Sequence, residues 1–273
     1  MRDITVAAVC MHSEPGRVEE NLAHMELFAS EAVSRGAEMI CFPELCISGY
    51  VLNEPHSLYG PGDSQNIIAR IVDMAATHEV VIMAGMVEIL SRGKPYISHI
   101  VSGPKGMLGV YRKTHLSPIE KGVFQAGAEI GIFRYKNVAF GIQLCYEAHF
   151  PEISTLMALK EAEIIFMPHA SPRGTPQEKL DSWLRHLRSR AFDNALYVVA
   201  CNQVGQTSEG YQFPGVAVVV DPSGLIISQR MRVDEGMVVA TLKANRLEEI
   251  RTHQMRYFLP NRRPELYRAL IGG

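Results

Sequence analysis

The stretch Gly141–Glu152, reading G-I-Q-L-C-Y-E-A-H-F-P-E, carries one cysteine, Cys145, from a buried run into a turn. Before it, Val138–Leu144 is apolar and of strand length; after it, aromatic and polar residues mix before a helical pattern starts near Glu152. A side chain at such a junction is held rigidly and can face a cleft. Thiolates are strong nucleophiles, but a free cysteine of pKa ~8.5 is only slightly ionised at neutral pH, so a working one needs a cation and a base beside it. Two further strand ends offer both: Lys113 in Y-R-K-T-H-L and Glu44 in F-P-E-L-C-I-S-G-Y. Taken singly, a free cysteine is mostly a small core residue and a lone lysine or glutamate mostly a solvated charge. Three complementary groups at three strand ends are another matter, because ligand sites in α/β proteins collect at the carboxyl ends of strands.

The elements that must position them follow from periodicity. Strand-like Ile4–Cys10 precedes Val18–Arg35, where Leu22, Met25, Phe28, Ala29 and Ala32 recur at helical spacing, and then the short strand Met39–Phe42 completes a β-α-β unit. A helix over Ile67–Ala76 feeds the apolar run Val80–Val87. Tyr96–Ser102 and Met107–Arg112, joined by G-P-K-G, read as a hairpin, as do Ile130–Tyr135 and Val138–Leu144 about Lys136–Asn137. Later come a helix over Gln177–Asn194, whose Arg185, Arg188 and Arg190 read as a solvated basic face, and strands Tyr197–Asn202, Val216–Val220, Leu225–Arg230 and Met237–Leu242. Strands alternating with helices, with some hairpins, imply mixed sheets covered by helices. An internal echo sharpens this: A-E-M-I-C-F-P-E at Ala37–Glu44 recurs ungapped as A-E-I-I-F-M-P-H at Ala162–His169, so Glu44 and His169 are expected at equivalent strand ends of two related halves.

In that order, F-P-E at Glu44, Y-R-K-x-H-L at Lys113 and G-x-x-x-C-Y-E-x-x-F-P-E around Cys145 resemble the carbon–nitrogen hydrolase (nitrilase) superfamily, over nearly the whole chain. The resemblance implies an α/β fold, a four-layer α-β-β-α sandwich of two mixed sheets covered by helices. It also implies a catalytic triad in which Cys145 attacks an amide carbonyl, Lys113 and the N–H of Tyr146 stabilise the oxyanion, and Glu44 moves the proton. Glu120, in K-T-H-L-S-P-I-E-K-G-V-F-Q-A-G, becomes a second carboxylate of the site by the same likeness. Tyr50, Tyr146, His149, His169, Ala170 and Arg173 are expected to contact substrate, Arg173 because it is the basic residue in the loop directly after His169 and could meet a carboxylate. Tyr146 stands where nitrile-cleaving members commonly carry Trp, which favours an amide or N-carbamoyl amine as substrate. Glu147 stands where Asp is frequent, which leaves the subfamily open. A nitrilase, an acyltransferase using the same thioester, and a binding protein without turnover are the alternatives.

Composition narrows the remainder. A chain of 273 residues with 47% hydrophobic content suits one large α/β domain, residues 1–273, and no linker-like tract divides it. The formal charge of −2 gives no electrostatic reason for a nucleic acid or anionic membrane partner. No apolar run approaches the ~18 residues of a membrane span, and the start of the chain has no signal-peptide pattern. Five cysteines, an odd number, suit a reduced, cytoplasmic setting. Without C-x-x-C, H-E-x-x-H, phosphate-loop or dinucleotide motifs, no metal or cofactor is expected. The tail, about 251–273, places Y-F-L-P at Tyr257–Pro260 and an apolar patch at Leu266–Leu270 in irregular chain, and is expected in the interface of a homo-oligomer built on a dimer.

Overall fold

A computed structural model describes residues 1–267. Its first sheet holds β1 (Ile4–Cys10), β2 (Met39–Cys41), β3 (Val81–Glu88), β4 (Tyr96–Gly103) and β5 (Gly106–Arg112). The second holds β6 (Phe133–Tyr135), β7 (Val138–Ile142), β8 (Ile164–His169) and β9 (Tyr197–Asn202). After a two-stranded ribbon of β10 (Gly205–Gln206) and β11 (Gln212–Phe213), β12 (Gly215–Val220) and β13 (Ile226–Arg232) complete the second sheet, and β14 (Gly236–Leu242) returns to the first. The helices are α1 (Val18–Ser34), α2 (Pro61–Thr77), α3 (Pro151–Leu159), α4 (Pro176–Asn194) and α5 (Ala244–Thr252).

The first sheet runs β14-β1-β2-β3-β4-β5, and the second, taken from its opposite edge, β6-β7-β8-β9-β12-β13. In each, the second, third and fourth strands are parallel to one another and every other pairing is antiparallel. The echo in the sequence therefore marks a structural repeat, with β2 and β8 in equivalent places. Even the entry bonds agree: Glu38 N–H donates to Thr5 O and Glu163 N–H to Ala139 O, both at 2.8 Å, while Val81 N–H and Tyr197 N–H donate to Glu38 O and Glu163 O, both at 2.9 Å.

Alternation along the strands builds the layers. Val6, Ala8, Met39, Cys41, Val81 and Met83 face the second sheet, in a core shared with Phe140, Ile142, Phe166 and Val199. Their neighbours Ala7, Val9, Ile40, Phe42, Ile82 and Ala84 pack under Leu22, Met25, Phe28, Ile67 and Ile71 of α1 and α2. With both faces covered, these strands read as continuous apolar runs rather than alternating ones. Helix α4 closes the other side on β9, β12 and β13. The architecture is the four-layer sandwich the sequence implied.

Some boundaries move. Helix α2 starts at Pro61, earlier than its apolar spacing shows, because Gly60 N–H bonds the Asp63 carboxylate and Pro61 suits the first helical turn. Strand β7 ends at Ile142, before Leu144. Arg190 is buried, not part of a solvated basic face, whereas Arg185 and Arg188 are exposed. The tail's Leu259 is buried on its own domain, with Tyr257 half-buried beside it and Phe258 against Phe192 at 5.4 Å, so part of its apolar surface needs no partner. The patch Leu266–Leu270 lies partly outside the described residues.

One buried group makes the fold sensitive to acid. His99 pairs with Gly85 across β3 and β4 and is fully buried, and burial, partly offset by the Met83 backbone, pushes its imidazole down to about 3. The unfolded chain, with histidine near ~6.5, binds a proton that the native state refuses, so stability falls as pH drops below ~6.5, by up to about 1.4 kcal/mol per unit for each such group. Urea titrations at neutral and mildly acidic pH should show that loss, and His99→Phe should have a shallower dependence than wild type. Identical pH slopes for the two proteins would remove His99 as the cause.

Candidate active site

Three strands of the two sheets end at one place. Glu44 follows β2, Lys113 follows β5 and Cys145 follows β7. Backbone geometry aims them: Cys145 itself is left-handed (φ +40°), and so is Leu45 (φ +57°) directly after Glu44. Such conformations cost a non-glycine residue of order 1–3 kcal/mol and persist where surroundings over-determine them. Glycines let the backbones close in. A Cβ on Gly85 would lie 2.3 Å from Leu45 N, and one on Gly127 would lie 2.4 Å from Arg112 O, so no larger residue fits behind Glu44 or Lys113. Gly127 N–H then donates to Lys113 O at 2.8 Å.

Lys113 is fully buried, and its Nζ donates to Glu44 Oε1 at 2.8 Å and to Glu120 Oε1 at 2.9 Å. Burial alone would discharge the ammonium; the two carboxylates, Glu44 first, more than offset it and hold its pKa above the ordinary lysine range. Glu44 Oε2 accepts from Ala170 N–H at 3.1 Å and its main-chain O accepts from Gln203 Nε2 at 2.8 Å. Burial raises the Glu44 carboxyl, Lys113 lowers it and Glu120 raises it again, with a net shift upward. Glu120 Oε2 accepts from Ser117 N–H at 2.7 Å. The Cys145 thiol, half-buried, is pushed up by burial and by Glu44 against the pull of Lys113, so it rests protonated.

A cavity of about 220 Å³ opens over Cys145, walled by Tyr50, Glu120, Tyr146, His149, His169 and Ala170 among others. Five of the six expected substrate contacts are therefore gathered there. Tyr50 is wedged edge-on against Tyr211, with ring centres 5.1 Å apart, and His169 stacks on Trp183 at 3.9 Å. Burial holds His169 well below its ordinary range, hence neutral, with Nδ1 against Met167 O at 2.7 Å. Arg173 is the exception. Its left-handed backbone (φ +74°) and its N–H bond to Gln212 O turn the side chain outward, where it is exposed and off the cavity wall. Lys179 of α4 lies on that wall. A larger cavity, about 500 Å³, lies by the tail at Arg134, Arg251 and Tyr257, but its walls hold no cysteine, serine, histidine or lysine. Among the described residues, no group of three or more His, Cys, Asp or Glu side chains is gathered for a metal ion.

Glu147, in the sequence a marker of subfamily, has a larger structural part. Fully buried, it accepts from Tyr111 Oη (2.9 Å), Thr114 N (2.7 Å), Thr114 Oγ1 (2.6 Å), His115 N (3.2 Å) and Leu144 N (2.7 Å). One carboxylate thus ties the residues after Lys113 to the residue before Cys145. Tyr111 in the strand and Glu147 two residues past the cysteine were visible as types, but nothing local shows that they meet across the two sheets.

The chain matches the Carbon-nitrogen hydrolase family over residues 5–252. It is similar to a probable nitrilase of Schizosaccharomyces pombe, 29% identical over 97% of this chain and 98% of that one. A 2-oxoglutaramate amidase of Bacillus subtilis is 28% identical over 90% of this chain and 93% of its own. Among solved structures, a carbon-nitrogen hydrolase from Helicobacter pylori G27 superposes with a TM-score of 0.88 at 23% identity, covering 99% of both chains.

Because every group facing Glu147 is a donor, Glu147→Gln would set the new amide's own N–H against some of them. Leaving buried donors unmet costs ~1–3 kcal/mol, so the variant should unfold at measurably lower urea with an unchanged denaturant slope. An unchanged midpoint would show that the carboxylate is not what joins the two segments. By its motifs, its sandwich and its family match, the chain belongs to the carbon–nitrogen hydrolase family.

Proposed function

We propose that this protein is a cysteine-dependent hydrolase of C–N bonds in a small amide or N-carbamoyl amine, working through a thioester on Cys145. The observation that carries the reading is the buried Glu44–Lys113–Glu120 array beside the half-buried Cys145. Desolvating one ammonium and two carboxylates is a poor way to gain stability, and such arrays concentrate at sites where charge is used.

Each step draws on a named group. Glu44 Oε takes the thiol proton as sulfur attacks the carbonyl carbon, and the raised carboxyl pKa suits a group that must both accept and return that proton. The carbonyl π electrons move to oxygen, and the fixed positive charge of Lys113, with the Tyr146 N–H, stabilises the oxyanion, each such donor contributing roughly 3–4 kcal/mol. Collapse expels the amine, which leaves with the proton from Glu44. Water, deprotonated by the same carboxylate, then attacks the thioester, and the proton returns to the thiolate as the acid departs. Glu120 keeps Lys113 charged and placed, and its negative charge helps raise Glu44.

Tyr146 beside the nucleophile favours an amide over a nitrile, as does the resemblance to an amidase of 2-oxoglutaramate; the resemblance to a probable nitrilase keeps nitrile cleavage as the second reading. The small cavity suits a short substrate. A homo-oligomer built on a dimer belongs to the same proposal, supported by the exposed Leu266 of the tail. Among the described residues no helix is long and apolar enough to cross a membrane.

Ammonia release from a panel of short amides, carbamoyl amines and nitriles tests this reading. Cys145→Ala should lower kcat/KM by at least ~10³ while the fold persists, Lys113→Met should lower it as far and also lower stability by leaving Glu44 and Glu120 unpaired, and EDTA should leave wild-type activity intact. A folded Cys145→Ala enzyme with near-native turnover would refute it.

A further inference from the structure

One wall of the cavity over Cys145 is a single face of α4. Lys179, Ser182, Trp183 and His186, spaced i, i+3, i+4 and i+7, all line it, together with Glu120 and the cysteine. Lys179 is the unusual member. It is half-buried, and its Nζ donates to Ser171 Oγ at 2.8 Å and to Pro172 O at 2.9 Å, two neutral acceptors. An ammonium has three donors. Among the described residues no carboxylate lies within ion-pairing distance of this one, whereas the site's other lysine is met by two. Glu178, its neighbour on the helix, is engaged elsewhere, capping Thr175. Burial accordingly lowers the Lys179 pKa, and Lys179 shares the lining of one cavity with Cys145. His186, one turn further on and two turns from Lys179, has a buried Nε2 without a partner on the same cavity wall.

A half-buried cation with a free donor, held toward a cavity by neutral groups, is an incomplete ion pair. We propose that Lys179 binds the carboxylate of the substrate, and that the natural substrates are short amides or carbamoyl compounds bearing a carboxylate at the far end from the scissile bond. The inference rests on the hydrolase reading for the position of the reacting carbon but names what that reading leaves open. It also moves carboxylate recognition from the exposed Arg173 to α4. The geometry agrees: Cys145 and Lys179 belong to the same cavity of about 220 Å³, so a chain of a few carbons would link the attacked carbonyl to the anion. Lys179 lies outside the Glu44–Lys113–Glu120 array and has no part in moving the proton.

Succinamic acid and butyramide, nearly equal in length and differing in one terminal carboxylate, are the probes. The ratio of their kcat/KM values should favour succinamic acid in wild type and fall at least about tenfold in Lys179→Met, chiefly through KM, since charge-assisted bonds are the stronger ones. Lys179→Arg should restore part of the ratio. Proportional losses on both substrates would show that Lys179 merely braces the loop at Ser171 and Pro172, and would overturn the proposal. Calorimetry on folded Cys145→Ala protein separates this claim from the hydrolase reading. Succinamic acid should bind it more tightly than butyramide, and the added Lys179→Met change should erase that preference even if wild type releases no ammonia from either compound. Equal binding of the two compounds to Cys145→Ala protein would sink the anion subsite whatever the enzyme's activity.

Discussion

A charge kept out of water holds the site's three segments together. Lys113 has no exposed surface, and an ammonium so placed is tolerable only while Glu44 and Glu120 both reach it. Removing either partner from a buried pair typically costs ~3–5 kcal/mol, so the positions of three segments from different parts of the chain are linked by one electrostatic requirement. The same requirement sets the protonation of its neighbours. Burial, with the second carboxylate adding to it, leaves Glu44 with a raised pKa, and burial with Glu44 beside it keeps Cys145 a thiol. On the proposed mechanism the nucleophile is made as the substrate arrives rather than held as a reactive anion.

The scaffold meets that requirement through its internal repeat. Equivalent strand orders in the two sheets bring the ends of β2 and β8 together, so that Glu44 from one half accepts the N–H of Ala170 from the other. The two equivalent strand ends have diverged in chemistry: the first carries the charged Glu44, the second the neutral His169, stacked on Trp183 as part of the cavity wall. Glu147 adds the cross-link that the repeat does not provide, joining the end of β5 to the turn after β7. Gly85 and Gly127 supply the space these approaches need.

Much of this was legible in the chain. The strand run Ile4–Cys10, the core of the run Val138–Leu144, the helical spacing of Leu22, Met25 and Phe28, and the three strand-end residues all announce themselves locally. The echo of Ala37–Glu44 in Ala162–His169 predicted the repeat. What stayed hidden depends on contacts between distant segments. Arg173 follows His169 in sequence and looked well placed, yet a left-handed backbone turns it outward, and Lys179, six residues later on a helix, faces the cavity instead. Arg190 looked solvated beside Arg185 and Arg188 because a helical pattern does not show how deeply one face is covered. The five donors around Glu147 come from Tyr111, Thr114, His115 and Leu144, and no spacing rule brings them together.

On the proposed mechanism, this charge array builds and breaks a thioester on Cys145. A p-nitrophenyl ester of a short acid tests it most directly, because the good leaving group makes acylation fast and lets the acyl-enzyme accumulate. Rapid mixing followed by acid quench and peptide mass analysis should give a burst of nitrophenolate equal to the enzyme concentration, with the acyl group on the peptide that contains Cys145. Steady release with no adduct, or an adduct confined to another cysteine, would contradict the account.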